Sequence, residues 1–303
     1  MTIPSRVTET SMSTRALSDL QRSLQRGQKI QTQISSGKLL SRPSDSPTGT
    51  VTSLQLRGEV RSTQQYGRNA EDGLGWLGTI QDTLGDASTS IIRVRDLTLQ
   101  ALNSGNNDQS RDALAVEIDN IRETLLGQAN AKYMDRPVFG GTTPGGVAYE
   151  QDTTTGEYTY VGNDNPTTRT VGPNAKVRIE STGPEAFGTP GSSTELFSVL
   201  KSISDAIRSD DSTALNTGLE NLDSAHDLLK SALSDVGARY NRVEQMKQSA
   251  DDHLLSVSSQ LSDIEDVDLP KAIMELQIQQ TSYQAALAAT AKVIQPSLID
   301  FLR

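Results

Sequence analysis

Apolar residues return at alternating steps of three and four in several stretches of this chain, the spacing that keeps one stripe of a helix turned toward a neighbour. The longest stretch is Leu215, Leu222, Leu229, Val236, Val243, Ala250, Val257 and Ile264, a seven-residue repeat without a miss. Leu219, His226, Leu233, Tyr240, Lys247, Leu254 and Leu261 interleave with it. This predicts one helix of about fifty residues, ~75 Å long, far beyond an ordinary globular helix. Such a helix must pack lengthwise on another long one. Residues 51–102 supply it, with rows Leu77, Leu84, Ile91, Thr98 and Ile80, Ala87, Val94, Ala101.

The two ends carry the same spacing in weaker form. Near the N-terminus the rows are Leu17, Leu24, Gln31 and Leu20, Gly27, Ile34. Near the C-terminus they are Leu269, Leu276, Tyr283, Thr290 and Ile273, Gln280, Leu287, Ile294, Phe301. Gly, Gln or Thr interrupts each stripe, so each is expected to pair only when something else brings the segments together. Leu17, Leu20, Leu24, Ile34, Leu276, Tyr283, Leu287 and Ile294 are the predicted assembly contacts. A plain intramolecular helix pair would use the same residues, and the two readings are compatible.

Between these elements the pattern changes. Pro43 and Pro47 forbid a continuous helix after the first stretch. The segment 103–107 breaks the second long helix, and Asn107 or Asp108 can cap the next one, which carries Leu114, Ile118, Ile121 and Leu125 on one face. From about 138 to 193 Gly, Thr, Pro and Asn dominate. Residues 145–150 and 157–161 flank a turn-rich 152–156 and read as a β-hairpin, with 176–180 a further strand. Helix resumes at 194–208. The predicted fold class is mainly α: an elongated rod of long antiparallel helices, paired N- and C-terminal coiled-coil segments, and a small inserted β domain. The expected divisions are 1–46 with 265–303, 47–137 with 194–264, and 138–193.

Charge adds direction to the pairing. Residues 1–40 hold six basic side chains against two acidic, and residues 251–303 hold three basic against eight acidic. Opposite ends therefore attract and like ends repel, which favours N-to-C pairing. The whole chain of 303 residues carries a net charge of −10, which argues against a general nucleic-acid binder. Only 34% of it is apolar and 4% aromatic, a composition for thin cores of Leu, Ile, Val and Ala. The absence of cysteine excludes disulfides, thiol catalysis and Cys-type metal sites. No run reaches the apolar length of a membrane span, and the first thirty residues lack a secretory apolar block, so no membrane partner is expected, and any export would follow another route.

Candidate chemistry is sparse. Gly73-Leu-Gly-Trp-Leu-Gly78 matches the dinucleotide-binding string, but no strand precedes it and a heptad seam runs through it. Small residues where helices approach closely explain it better. His226 and His253 are too far apart for a local metal pair, and His226 falls in a seam row, where a packed or hydrogen-bonded histidine is the default. The carboxylates between Asp263 and Asp268 lack a calcium loop's glycine and spacing; they suit the end of one helix and the start of the next. No cofactor, metal or catalytic residue is expected.

Two motifs carry a family resemblance. Gln33-Ile-Ser-Ser-Gly-Lys38 followed by Pro43-Ser-Asp-Ser-Pro47 resembles the N-terminal signature of bacterial flagellins and hook-associated proteins. Asp266-Val-Asp268, residues 279–293 and Ser297-Leu-Ile-Asp-Phe-Leu302 are similar to the matching C-terminal end. The Pro-Ser-Asp-Ser-Pro string, Ser-Tyr-Gln-Ala-Ala-Leu and Phe139-Gly-Gly resemble the hook–filament junction branch, whereas Lys38-Leu-Leu departs from the commoner Lys-Arg-Ile. The resemblance implies a structural protein of the extracellular flagellum, exported by the flagellar apparatus without a cleaved signal. It implies a ring of copies between another hook-associated protein and the flagellin filament, and a cytosolic export chaperone as a further partner. A minor flagellin that forms the filament itself is the alternative; a nucleotide-dependent enzyme built on residues 73–78 is the outsider.

Overall fold

The computed structural model describes residues 9–103, 107–143, 145–152 and 156–294. In chain order these form α1 (Glu9–Ser36), α2 (Pro47–Leu102), α3 (Asp108–Ala129), strands β1 (Lys132–Tyr133), β2 (Arg136–Pro137), β3 (Tyr149–Gln151), β4 (Tyr158–Tyr160), β5 (Thr168–Gly172) and β6 (Ala175–Arg178), then α4 (Gly183–Phe187), α5 (Leu196–Arg208), α6 (Ser212–Glu265) and α7 (Leu269–Ile294). The chain divides into two compact units, one of residues 1–61 with 254–303, the other of residues 62–253.

The unit formed by residues 62–253 has the large core. Every residue of the two α2 rows named above is buried, as are Leu215, Leu222, Leu229, Val236 and Val243 of α6. The two helices run antiparallel here: Glu71 lies 3.4 Å from Lys247, Ser88 2.9 Å from His226, and Arg95 2.9 Å from Asp223. Seven-residue spacing thus sets the register, because each apolar row meets a row of the same period. The helix α3 packs on α5, where Ser204 donates to the Ala115 carbonyl at 3.3 Å and Arg208 pairs with Asp119 at 2.6 Å. The expected cap on α3 is present, with the Asn107 side chain accepting from the Ser110 amide at 2.8 Å.

The strands form three separate antiparallel pairs, β1–β2, β3–β4 and β5–β6. The anticipated hairpin is β3–β4, pairing Tyr149 with Tyr160 and Gln151 with Tyr158; residues 153–155 of its turn lie outside the described residues. The anticipated strand at 176–180 is β6, and its partner β5 and the short β1–β2 pair are additional. Pairs this small are marginal alone, and these are held by the helices. Tyr149, Tyr158, Phe139 and Phe187 join Phe197 of α5 in one aromatic cluster with ring centroids 5.1–6.0 Å apart, within the same core as α2 and α6.

The Gly73–Gly78 string is mid-helix. A Cβ on Gly75 would run into the Tyr133 hydroxyl, and one on Gly73 would meet Ile179 at 3.2 Å. These glycines allow close approach of a strand pair to α2. His226 is buried at a seam position and bonded to Ser88, and burial holds its pKa below the ordinary 6.5.

In the other unit α1 packs on α7, and the first turns of α2 and the last of α6 complete it. Its fully buried apolar side chains, among the described residues, are Val257 and Ala272.

Candidate assembly surface on the terminal helices

Residues from both family-like motifs meet in space. Gly37, with φ +70, ends α1 in a conformation that suits glycine. The chain then pairs antiparallel with the α6–α7 junction: the Leu39 amide donates to the Glu265 carbonyl at 2.6 Å, and the Val267 amide to the Gly37 carbonyl at 3.0 Å. Side chains reinforce this clasp. Lys38 Nζ lies 2.6 Å from Asp266 and 3.4 Å from Glu265, and Arg57 lies 2.7 Å from Glu265. Glu265 is only 3% exposed. The Arg57 guanidinium beside it holds its carboxyl below the usual carboxylate range, and the Lys38 ammonium does the same for Asp266.

The Pro43–Pro47 string builds the next corner. Asp45 accepts from the Ser41 and Arg42 amides at 3.3 and 3.0 Å and pairs with Lys29 at 2.8 Å, contacts that hold it well below its ordinary pKa. Ser46 caps α2 by accepting from the Gly49 amide at 3.1 Å, and Pro47 takes the first helical position, where its missing N–H costs nothing. Asp268 caps α7 in the same manner, accepting from the Lys271 amide at 3.1 Å. The carboxylates between Asp263 and Asp268 therefore serve a helix boundary.

Beyond the clasp, α1 presents Ala16, Leu20, Ser23, Gly27, Ile30 and Ile34 to α7, all half-buried. α7 answers with Ala272, Leu276, Gln279, Tyr283, Ala286 and Thr290. Gln279 donates to the Ser23 hydroxyl at 2.7 Å and carbonyl at 2.9 Å. The intramolecular seam therefore takes four of the predicted residues, Leu20, Ile34, Leu276 and Tyr283. Three others, Leu17, Leu24 and Leu287, are exposed; the side chain of Ile294 and the residues 295–303 lie outside the described residues.

The exposed residues share one face. Leu17, Leu24 and Gln31 recur every seven residues on α1, as do Ile273, Gln280 and Leu287 on α7. A groove of ≈160 Å³ between the helices is lined by Leu24, Gly27, Gln28 and Gln31 on one wall and Gln280 and Tyr283 on the other, so both rows border it. The other flank of α1 carries Arg15, Arg22 and Arg26, with Arg22 2.7 Å from Asp19. Sequence charge suggested attraction along the helix pair. Among the described residues, the ion pairs joining the two ends are those of Lys38 at the clasp.

Among the described residues no group of three His, Cys, Asp or Glu could hold a metal ion, and no helix is long and apolar enough to cross a membrane.

Residues 7–142 match the family model for the bacterial flagellin N-terminal helical region, and residues 219–302 the model for the bacterial flagellin C-terminal helical region. The chain is 26% identical over 282 residues to a flagellin of Bacillus subtilis, covering 88% of this chain and 89% of the relative. It is 25% identical over 279 residues to flagellar hook-associated protein 3 of Escherichia coli, covering 85% and 87%. A solved structure of a putative flagellar hook-associated protein from Vibrio parahaemolyticus superposes with a TM-score of 0.66 at 22% identity, covering 73% of this chain and 100% of that one.

Proposed function

The chain belongs to the bacterial flagellin family, and we propose that it is the structural subunit that joins the flagellar hook to the flagellin filament. It acts without catalysis, by taking a place in a stack of helical subunits. The observation that carries this reading is the apolar face of the α1–α7 pair. Leu17, Leu24, Leu269, Ile273 and Leu287 are large, outward and spaced for a neighbouring helix. Full burial of such a side chain is worth about 1.5–3 kcal/mol, and roughly half of each is still uncovered, a gain left for contact with other subunits. In the assembled state copies form a ring, with another hook-associated protein on one side and flagellin on the other. Leu20, Ile34, Leu276 and Tyr283 hold the pair together beneath that face. A subunit with so unfinished a face reaches its site through the flagellar export route, covered on the way by a cytosolic chaperone.

A minor flagellin is the competing role, favoured by the Bacillus subtilis relative, which matches the chain over as much of its length. Electron microscopy of a strain lacking the chain, with flagellin assayed in the medium, separates them. Bare hooks with flagellin lost to the medium are expected. Normal filaments would overturn the junction role, and shortened or altered filaments on intact junctions would establish the minor flagellin.

A further inference from the structure

Resting on that reading, we infer that the groove between α1 and α7 seats Met274 and Ile278 of a second copy of this chain. The two side chains are 59% and 60% exposed and sit one turn apart on α7. Ile278 lies two residues from both Leu276 and Gln280, which border the groove, and is therefore about 200° round the helix from each. Met274 stands in the same relation to Leu276. The helix pair thus carries an apolar ridge on one side and an uncharged hollow on the other.

Three properties fit ridge to hollow. The groove's ≈160 Å³ is comparable with the ~150 Å³ cavity that admits a benzene ring, enough for a branched or thioether side chain. Its walls hold Leu, Gly, Gln, Ser and Tyr and no ionisable carboxylate or amine, so it suits a neutral occupant. The basic flank of Arg15, Arg22 and Arg26 is excluded as that occupant, whereas Met274 and Ile278 are neutral and unpaired. Spacing of four residues forms the ridge that interdigitates with a facing helix. Because ridge and hollow lie on different faces, the contact is heterologous: each copy offers its ridge to one neighbour and its hollow to the other. Such a contact closes into a ring or continues as an array, and does not stop at a dimer.

The chain has no cysteine, so introduced thiols report on this contact without background. Cells producing Gln28→Cys and Ile278→Cys chains together would be treated with copper phenanthroline as oxidant, and the hooks isolated. A disulfide between one chain of each kind is expected. Disulfides joining two Gln28→Cys chains would mean that like faces meet, and overturn the inference. So would hooks that carry both variants with no disulfide, or with Gln28→Cys protected from a thiol reagent by a different flagellar protein. Gly27→Leu gives a second test. A Cβ at Gly27 meets only Gln279 at 3.8 Å, and the larger leucine side chain is expected to fill the groove, with an intrachain disulfide as the check that the helix pair still forms. Occupancy of hooks by this variant should fall more than tenfold, with a Ser23→Cys/Gln279→Cys disulfide within one chain still forming. Normal occupancy would sink the inference. Wild-type chains missing from hooks would sink the junction role as well, whereas variant chains present in hooks without the disulfide sink only the docking.

Discussion

The unit of residues 62–253 and the unit formed by the two ends are written in the same seven-residue spacing, yet they use it differently. In the first, Leu77, Leu84, Leu222 and Leu229 all face inward and are fully buried. In the second, small or polar residues, Ala16, Ser23, Gly27, Ala272, Gln279 and Ala286, share the seam with Leu20, Ile30, Ile34, Leu276 and Tyr283, while Leu17, Leu24, Ile273 and Leu287 face outward. One unit closes its large apolar side chains inside itself; the other leaves several of them uncovered. The difference teaches that apolar spacing marks where a helix will be covered, without saying whether the cover comes from the same chain.

The contrast breaks most easily at the core. Leu84→Ala should lower the stability of the soluble subunit by about 2–5 kcal/mol, the range for a buried leucine, as read by urea unfolding. Leu24→Ala, at a side chain 48% exposed, should leave the soluble subunit within about 0.5 kcal/mol of wild type and yet reduce incorporation into hooks. Equal losses of stability would show that the terminal pair is a core after all.

A smaller effect is expected at the clasp. Glu265→Gln removes the buried carboxylate that Arg57 and Lys38 hold, a cost of about 1–3 kcal/mol. Hydrogen exchange should show it in residues 14–40 and 265–290 and leave 62–253 unchanged. Because the folded state lowers the Glu265 and Asp266 pKa values from 4.5 and 3.8, their contribution is complete above those values. It is lost as pH falls through the lower folded values. Acid should therefore loosen the terminal unit in wild type and do less in Glu265→Gln.

The smallest effect belongs to His226 in the finished core. Burial lowers its folded pKa below 6.5, so from that pH downward the unfolded state takes up the proton first and stability declines. His226→Gln should flatten this part of the pH profile of the unit 62–253. An unchanged slope would mean that the imidazole is as readily protonated in the core as in the unfolded chain.

What was legible in the sequence follows from side-chain size. The rows of α2 and α6 could be read because large aliphatic residues fill nearly every position, and the break at Pro43–Pro47 because proline lacks a donor. The seam between α1 and α7 was legible in part: the rows Leu20, Gly27, Ile34 and Leu276, Tyr283, Thr290 lie in it, whereas Ala16, Ser23 and Ala286 carry too little hydrophobic signal to be read, and the rows of Leu17 and Ile273 face outward. β5 was missed because Thr168-Arg-Thr-Val-Gly172 pairs through its backbone with little apolar alternation. The clasp has no local signal at all, since Lys38 and Asp266 are 228 residues apart. Their motifs were visible separately, and their meeting was not.

That separation has a consequence in time. A chain made or threaded from its N-terminus presents α1 first and the clasp's other half almost last. Contacts so distant along the chain form late, because the loop they close is costly until much of the rest is ordered. The unit 62–253 can fold before residue 265 arrives, whereas the terminal unit has to wait for it. Residues 265–294 thus act as a completion check: a chain cut before them could possess a sound core and still lack the clasp and the α1–α7 pair.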